Sequence, residues 1–386
     1  MRRLSLLGST GSIGRQTLEV AAAHPERIAI AGLAAGGNLE LLIQQTKQFQ
    51  PALVSVTRRD DAARVREAVS NLGVEVVSGP EGLRAVAEAE ADLVIGALVG
   101  SVGLEPVLAA LERGRDVALA NKEVLVIAGP LVLQEARAHG ARLLPLDSEH
   151  VAIHQCLAGH PPEGVRKIWL TASGGPFRTW TPDQIRDASP DQALAHPNWQ
   201  MGPKVTVDSA TLMNKGFEVI EARWLFDCEA DRIGVLIHPE SIVHSLVEYV
   251  DGSWLAQLSV PDMRIPIAYV LGMDDRLAIP GLRPLDLVEA GALHFDAPDL
   301  ERFPALRLAL EAARSGGTAP AVLNAANEVA VEAFLAGRIA FTTIAETVER
   351  VLEGEPVRPG LDLGEIRDAD RGARERAQRA IEERCR

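Results

Sequence analysis

Residues 3–23 have the sequence RLSLLGSTGSIGRQTLEVAAA, which indicates a strand, a glycine turn and a helix in that order. The apolar run Arg3–Leu7 predicts a buried strand, and a helical pattern extends from Arg15 to about Ala23. Glycines between a strand and a helix let the backbone approach the pyrophosphate of a dinucleotide at the helix N-terminus. The spacing here is G-x-x-G-x-x-G rather than G-x-G-x-x-G, so a plain tight turn is the alternative. A Walker A loop is excluded, because Arg15 rather than lysine follows Gly14.

The same alternation of strands and helices continues over the first 146 residues. The predicted strands are Arg3–Leu7, Ile28–Leu33, Leu53–Val56, Leu93–Ala97, Val117–Ala120 and Arg142–Leu146. The predicted helices after the first one are Leu39–Gln48, Ala62–Val69, Leu104–Arg113 and Pro130–His139. Because alternating strands and helices form parallel, doubly wound sheets, we predict an α/β fold with an N-terminal Rossmann-type domain at 1–146.

The end of the second predicted strand bears on the choice of cofactor. An NAD site usually has Asp or Glu here, where the carboxylate binds the ribose 2′-hydroxyl. Residues 34–38 are instead AAGGN, without an acidic side chain. A 2′-phosphate is therefore tolerated and NADP is favoured, although no arginine that could bind this phosphate is evident nearby.

Charged side chains follow two of the later predicted strands, at the edge where parallel sheets bind ligands. One strand leads into the trio Asn121-Lys122-Glu123, for which a solvated helix start is the alternative. The next leads into Asp147-Ser148-Glu149-His150. In an extended chain Asp147 and Glu149 would point to one side, and two such charges ~4 Å apart repel by roughly 4 kcal/mol at a dielectric constant near 20. A divalent cation such as Mg²⁺ or Mn²⁺ would remove this repulsion, while a solvent-facing pair is the alternative.

Two distinct faces are predicted for a helix over residues 208–221, DSATLMNKGFEVIE. The apolar face consists of Met213, Phe217, Ile220 and Trp224. The polar face consists of Thr211, Asn214, Lys215 and Glu218. With Asp208 or Ser209 as N-cap, this helix start suits an anion and a metal placed close together. The alternative is an ordinary amphipathic helix with a solvated polar face.

The rest of the chain is predicted to contain a catalytic α/β domain at 147–272, a linker at 273–300 and a C-terminal helical domain at 301–386. Residues 173–204 have little periodicity and several prolines, which indicates a lid loop with His196 and Trp199 at its tip. A hairpin with strands at 242–250 and 254–260 turns at Asp251-Gly252 and offers an edge for self-association.

Composition excludes several classes of protein. The net charge of −14 disfavours a nucleic-acid footprint. Neither a signal peptide nor an apolar run long enough for a membrane span is readable. Three widely spaced cysteines form neither a disulfide framework nor a metal motif, which fits a reducing cytoplasm.

Seven motifs, taken in order, resemble those of the 1-deoxy-D-xylulose 5-phosphate reductoisomerases, the NADPH-dependent enzymes of the non-mevalonate isoprenoid pathway. They are GSTGSIG at 8–14, LANKE at 119–123, LDSEH at 146–150, ASGGPF at 172–177, HPNWQMG at 196–202, DSATLMNKG with Glu218 at 208–218, and HPESIVHS at 238–245. Their common order over nearly the whole chain makes chance a poor explanation.

The resemblance implies a role for each group of polar residues. The ligands of Mg²⁺, Mn²⁺ or Co²⁺ would be Asp147, Glu149 and Glu218, which with Lys122 would also be catalytic. The substrate contacts would be Ser148, Glu149, Ser173, His196, Trp199, Ser209, Asn214, Lys215 and Glu218. The NADPH contacts would be Thr10, Gly11, Ser12, Ile13, Gly36, Gly37, Asn38, Asn121, Glu123 and Gly202. Gly37 stands where some members carry a lysine that faces the 2′-phosphate, which bears on how strictly NADPH is preferred over NADH.

The resemblance also implies a reaction. A sugar phosphate, 1-deoxy-D-xylulose 5-phosphate, would be cleaved and rejoined to a branched aldehyde, and NADPH would reduce it to 2-C-methyl-D-erythritol 4-phosphate. The expected protein is a cytoplasmic homodimer without nucleic-acid or membrane partners. Two alternatives are a different NADP-dependent dehydrogenase, such as a homoserine or semialdehyde dehydrogenase, which needs no metal, and a nucleotide-sensing or scaffolding protein that binds NADPH without metal.

Overall fold

A computed structural model describes residues 1–199, 201–273 and 275–384. Outside these ranges lie Gln200 of the predicted lid, Asp274 of the predicted linker, and Cys385 and Arg386 at the end of the predicted helical domain. The strands are β1 (Arg2–Leu7), β2 (Ile28–Ala35), β3 (Leu53–Val56), β4 (Glu75–Ser78), β5 (Leu93–Gly96), β6 (Asp116–Leu119), β7 (Leu143–Pro145), β8 (Val165–Ala172), β9 (Ile233–Ile237), β10 (Val243–Tyr249) and β11 (Trp254–Leu258). The helices are α1 (Ser12–Ala23), α2 (Leu39–Phe49), α3 (Arg59–Ala68), α4 (Gly79–Glu88), α5 (Leu104–Glu112), α6 (Glu123–Ala138), α7 (Ser148–Leu157), α8 (Pro182–Arg186), α9 (Pro190–Leu194), α10 (Pro203–Thr211), α11 (Met213–Leu225), α12 (Arg264–Gly272), α13 (Leu287–Ala290), α14 (Pro304–Ser315), α15 (Ala319–Leu335), α16 (Phe341–Gly354) and α17 (Leu363–Arg384).

The first compact unit contains residues 1–124, 132–151 and 262–282. Its seven strands are all parallel and follow the order β4-β3-β2-β1-β5-β6-β7. The central strands are apolar and buried, as expected for a parallel sheet covered on both faces. The chain reverses its direction of winding at β1, so the carboxyl end of β1 lies at a topological switch point where such sheets bind ligands. The predicted Rossmann-type sheet is confirmed.

Two elements of this sheet were not predicted from the sequence. The short strand β4 pairs with β3 at the edge, and α4 follows it without a connecting loop. Pro80 occupies the first turn of α4, a position where proline is compatible with a helix although Gly-Pro in a sequence also indicates a turn. The sheet therefore has seven strands rather than the six expected.

The second compact unit contains residues 125–131, 152–261 and 283–386. Its four-stranded sheet has the order β11-β10-β8-β9, in which β10 is antiparallel to both neighbours and β8 is parallel to β9. The predicted hairpin is thus present as β10 and β11. Helix α14 packs on both α11 and α15, and the apolar core of these helices includes Phe217, Ile220 and Leu323.

The bounds of these units differ from those of the predicted domains: residues 125–131 fall in the second unit and residues 147–151 in the first, and two larger segments are also assigned differently. Residues 262–272, which were assigned to the catalytic domain, belong to the first unit, where α12 packs on α1 and Arg2 Nη1 donates to Val270 O at 2.9 Å. Residues 283–386 belong to the same unit as 152–261, because α14 packs along α11. A subdivision of this second unit into a catalytic and a helical domain stays a prediction.

The segment predicted as an irregular lid is more ordered than expected. Two short helices, α8 and α9, each begin with a capping box, in which Thr181 and Ser189 are the N-caps. Phe177 and Ala193 are fully buried in the core of the second unit. This order was not evident from the sequence because each helix has only five residues. Residues 194, 195, 197, 202 and 203 near the end of the segment are exposed, as are 181–184 at the start of α8.

In the described part of the chain, no helix combines the length and the apolar character that crossing a bilayer requires.

Candidate active site

The glycine turn joins β1 to α1 with the backbone in close approach. Gly8 has φ +96°, and a Cβ there would lie 2.4 Å from Ala97 O. At Gly14 a Cβ would lie 2.3 Å from Gly8 O, so α1 can begin this close to the strand only without a side chain. Gly11 is the N-cap and no side chain caps the helix, which leaves backbone N–H groups of Ser12 and its neighbours directed toward a ligand. The turn thus has the geometry of a phosphate cradle.

The loop after β2 exposes the three residues predicted to approach the adenosine phosphate. Gly36, Gly37 and Asn38 are all exposed. Asn38 also has a local role, since its Oδ1 accepts a hydrogen bond from Leu41 N at 3.1 Å and caps α2. No atom lies within 4 Å of a Cβ built at Gly37 in the described structure, so a longer side chain would fit there without a clash.

The trio after β6 is buried and internally bonded, rather than forming a solvated helix start. Asn121 Nδ2 donates to Gly100 O at 3.1 Å and to Glu123 Oε2 at 2.6 Å. The amide fills the place of a side chain at Gly103, where a Cβ would lie 1.7 Å from Asn121 Oδ1. Lys122 is 8% exposed, and its Nζ lies 2.5 Å from Asp147 Oδ2.

Asp147 and Glu149 were predicted to point to one side of an extended chain, but they do not lie on one strand. Helix α7 already begins at Ser148, directly after Asp147, whose Oδ1 accepts a hydrogen bond from Ser148 N at 3.1 Å. Glu149 lies in the first turn, where a carboxylate is favoured by the helix dipole, and accepts a hydrogen bond from Ser148 Oγ at 2.5 Å. The helix start, rather than the strand pleat, orients the two carboxylates.

The predicted helix over 208–221 is in fact two helices. Leu212 has φ +62° and separates α10 from α11, so Asp208 and Ser209 lie in the last turn of α10 and neither is an N-cap. Thr211 consequently does not share a helix face with Asn214. Leu212 keeps this left-handed conformation because its side chain is buried in the core at 3% exposure.

The polar face of α11 is buried instead of solvated. Lys215 is 3% exposed and Glu218 is 1% exposed. Asn214 Nδ2 donates to Glu218 Oε1 at 2.6 Å, and Lys215 Nζ forms an ion pair with Glu218 Oε2. Burying a charged pair costs several kcal/mol per ion before attraction is counted, so this arrangement is a sign of function more than of stability.

Ser173 and His196 meet although 23 residues separate them. Ser173 Oγ lies 3.0 Å from His196 Nε2. Burial lowers the pKa of His196 below its ordinary value of 6.5, which favours the neutral ring. Trp199 lies on the same turn, with its ring edge-on to that of His244 at 6.3 Å. Ser209 has a half-buried hydroxyl that forms no hydrogen bond within the described ranges, and Gly202 is the exposed N-cap of α10.

The three predicted metal ligands lie close together. Asp147, Glu149 and Glu218 each offer one carboxylate oxygen, and these atoms lie within 4.8 Å of one another. Opposite oxygens around one Mg²⁺ ion are ~4.2 Å apart, so the three fit a single divalent cation. Oxygen ligands without sulfur or nitrogen suit Mg²⁺ and Mn²⁺.

A second set of possible metal ligands was not predicted from the sequence. Asp147, His150 and Glu221 each offer one ligand atom, and these atoms also lie within 4.8 Å of one another. His150 and Glu221 are fully buried. The sequence could have indicated these two residues, because His150 directly follows Glu149 and Glu221 lies one helical turn after Glu218.

Similarity to known proteins extends over nearly the whole chain. Residues 4–129 match the family model described as 1-deoxy-D-xylulose 5-phosphate reductoisomerase. Residues 143–226 and 258–376 match the two C-terminal domain models of the same family. The reductoisomerase of Chlorobaculum tepidum is 52% identical over 382 residues, which are 99% of this chain and 100% of that protein.

Two solved structures have the same fold over nearly the full length. One is a DOX-P reductoisomerase in complex with NADPH, fosmidomycin and magnesium, with a TM-score of 0.94, 44% identity and coverage of 99% of this chain and 98% of that chain. The other is the 1-deoxy-D-xylulose 5-phosphate reductoisomerase of Zymomonas mobilis in complex with NADPH, with a TM-score of 0.92, 42% identity and the same coverage. Full-length relatives, family models and structures agree, and this chain belongs to the 1-deoxy-D-xylulose 5-phosphate reductoisomerase family.

Proposed function

We propose that this protein converts 1-deoxy-D-xylulose 5-phosphate to 2-C-methyl-D-erythritol 4-phosphate, using NADPH and a divalent metal ion. The observation that carries the proposal is the group of three carboxylates, Asp147, Glu149 and Glu218, in a chain that also has the glycine turn of a dinucleotide site. A dehydrogenase that transfers hydride without a metal has no use for such a group. A scaffolding protein would have no reason to keep charged side chains buried.

The cofactor site is proposed at the carboxyl ends of β1, β2 and β6. The N–H groups at the start of α1 would bind the pyrophosphate, with Thr10, Gly11, Ser12 and Ile13 forming the cradle. Gly36, Gly37 and Asn38 would face the adenosine phosphate, and Asn121, Glu123 and Gly202 would make further contacts. No carboxylate ends β2, so a 2′-phosphate meets no repulsion there.

The metal site is proposed at Asp147, Glu149 and Glu218, with Mg²⁺, Mn²⁺ or Co²⁺ as the ion. When bound, the ion supplies a Lewis acid for the substrate's ketone and hydroxyl oxygens, and NADPH supplies the hydride. The chain itself holds the carboxylates of Glu218 and Glu149 in place through hydrogen bonds from Asn214 and Ser148. Lys122, beside Asp147, is placed to donate a proton or a hydrogen bond to an oxygen of the reacting substrate.

The substrate phosphate is proposed to bind near Ser173, His196, Ser209, Asn214 and Lys215. These side chains offer hydroxyl, amide, imidazole and ammonium donors, which match the acceptor oxygens of a phosphate. Binding energy from this unreactive end of the substrate would orient the reacting end. Closure of the 194–203 segment with Trp199 would exclude water and retain the aldehyde intermediate.

The protein is further proposed to be a cytoplasmic homodimer. Strand β11 is the edge of its sheet, and its first residues Trp254 and Leu255 are 46% and 38% exposed. An exposed apolar edge strand favours pairing with a second copy. Cys156 and Cys228 are buried free thiols, which is compatible with a reducing compartment.

The direct test measures NADPH oxidation by purified protein with 1-deoxy-D-xylulose 5-phosphate, with and without Mn²⁺. We expect turnover that EDTA abolishes and Mn²⁺ restores. Turnover that resists EDTA would favour a metal-free dehydrogenase, and NADPH binding without turnover on this substrate would contradict the proposed reaction.

A further inference from the structure

The tip of the 194–203 segment holds the His196 ring in one tautomer. His196 Nδ1 accepts hydrogen bonds from the backbone N–H groups of Asn198 at 3.2 Å and Trp199 at 3.0 Å. A ring nitrogen that accepts hydrogen bonds carries no proton, so the proton of the neutral ring is on Nε2. Nε2 lies 3.0 Å from Ser173 Oγ, to which it can donate. The ring therefore presents a donor, not an acceptor, to Ser173.

This arrangement also orients the hydroxyl of Ser173. Its Oγ accepts from Gly175 N at 3.2 Å and from His196 Nε2–H at 3.0 Å. A hydroxyl oxygen has two acceptor positions and one proton, so the proton of Ser173 is left to donate to another acceptor. Successive donors polarise one another, which strengthens the last hydrogen bond of such a chain.

The turn that fixes His196 is itself held by one side chain. Asn198 Nδ2 donates to Pro239 O at 2.8 Å and to Ser241 Oγ at 2.8 Å. A carbonyl oxygen can only accept, so the amide nitrogen must face this second turn. Both hydrogens of the Asn198 amide are then used to join the two turns.

The second turn is a rigid anchor. His238 is fully buried, and its Nε2 accepts from Ile242 N at 3.2 Å and from Val243 N at 3.1 Å. Its Nδ1 lies 2.8 Å from His294 O, and Phe295 stacks on its ring at 4.7 Å. In contrast, Pro197 in the first turn is exposed. Asn198 thus attaches the exposed 196–199 turn to a turn built around a buried ring.

We propose that Asn198 is a positioning residue, which acts through His196 by holding the 196–199 turn against Pro239 and Ser241. Its amide keeps the two backbone N–H groups directed at His196 Nδ1, so that Nε2–H donates to Ser173 and the Ser173 hydroxyl is left to donate to an anionic oxygen. The consequence for catalysis depends on the proposed role of Ser173 and His196 in binding the substrate phosphate.

The test compares Asn198→Asp and Asn198→Ala with the parent holoenzyme. Aspartate has the shape of asparagine but cannot donate to Pro239 O. We expect the KM for the sugar phosphate to rise about tenfold in both variants, the size of one hydrogen bond to a charged group, with a smaller change in kcat. Ser241→Ala removes one of the two acceptors and is expected to raise KM less, and its effect should not add to that of Asn198→Ala. The matched control is Asn71→Ala, at an exposed asparagine.

A spectroscopic readout separates the positioning role from loss of folding. In ¹⁵N-histidine-labelled protein, assigned with His196→Gln, the parent should show an unprotonated Nδ1 and a protonated Nε2. In the Asn198 variants the two ¹⁵N shifts should approach each other as the tautomers interchange, while the other histidines keep their shifts.

Unchanged His196 shifts in Asn198→Asp would overturn the proposal, and so would a parental KM in that variant when His196→Gln raises KM. If His196→Gln itself leaves KM unchanged, the proposed phosphate contact fails instead, and the ¹⁵N shifts alone then decide whether Asn198 holds the tautomer.

Discussion

Replacing Glu218 by glutamine tests the proposed metal site most directly, because it keeps the size of the side chain and removes one negative charge. One carboxylate oxygen from each of the proposed ligands Asp147, Glu149 and Glu218 lies within 4.8 Å of the other two. Two unit charges at that separation repel by about 3.5 kcal/mol at an effective dielectric constant near 20. Glu218 takes part in two of the three carboxylate pairs, which together repel by about 7 kcal/mol. A bound cation relieves this repulsion in the parent, and the neutral glutamine of the variant leaves none of it to relieve.

Part of this repulsion is already relieved within the chain. Lys122 pairs with Asp147, and Lys215 pairs with Glu218. If about half of the gross figure remains, the variant loses ~3.5 kcal/mol of metal-binding free energy, which corresponds to about 300-fold weaker binding.

The assay is a titration of the metal-free protein with Mn²⁺, followed by electron paramagnetic resonance of the free ion, together with turnover at saturating Mn²⁺. Glu332→Gln, at an exposed position of α15, is the matched control and should bind Mn²⁺ as the parent does. An affinity and a turnover of Glu218→Gln within a few-fold of the parent would refute the assignment of this carboxylate as a ligand.

Four further predictions concern the cofactor, the helix break, pH and assembly. Gly14→Ala places a Cβ 2.3 Å from a backbone oxygen, so NADPH binding measured by fluorescence should weaken at least ~10-fold as the turn shifts. Leu212→Gly relieves about 1 kcal/mol of left-handed strain but loses about 3 kcal/mol of buried side chain, so urea unfolding should show a net loss of about 2 kcal/mol. Because burial lowers the pKa of His196, the folded state binds fewer protons than the unfolded state just below pH 6.5, and stability should fall as the pH drops through this range, less so in His196→Gln. Trp254→Glu on the edge strand should convert the proposed dimer to monomers in light scattering.

Each of these predictions has a result that would contradict it. Parental NADPH affinity in Gly14→Ala would mean that the turn is not the cradle, and a more stable Leu212→Gly would mean that strain outweighs burial. An unchanged pH dependence in His196→Gln would contradict the assigned burial effect. Val357→Glu, at another exposed apolar residue, should leave the assembly unchanged, and a dimeric Trp254→Glu would place the interface elsewhere.

Much of the first unit followed from local patterns. Strand β3 has the predicted bounds, because an apolar run between turn signals depends only on neighbouring residues. The sequence did not reveal β4 and α4, since a four-residue strand followed directly by Gly-Pro has too little periodicity to differ from a turn.

The candidate site was predicted by residue type and misjudged in local geometry. Asp147 and Glu149 were placed on a strand, yet α7 begins between them. The helix at 208–221 was expected to be continuous, yet Leu212 interrupts it. The break at Leu212 has a tertiary cause, since a residue buried by distant parts of the chain can adopt a conformation that its own neighbours do not favour.

The sequence by itself determined the parallel sheet, the glycine turn and the types of polar residue that serve the chemistry, because periodicity and backbone sterics act over a few residues. Only the tertiary structure decided that the polar face of α11 is buried, that Glu218 approaches Asp147 and Glu149, and that Asn198 joins two turns 41 residues apart. Burial and the proximity of charges are properties of segments distant in sequence, and no local pattern encodes how those segments pack.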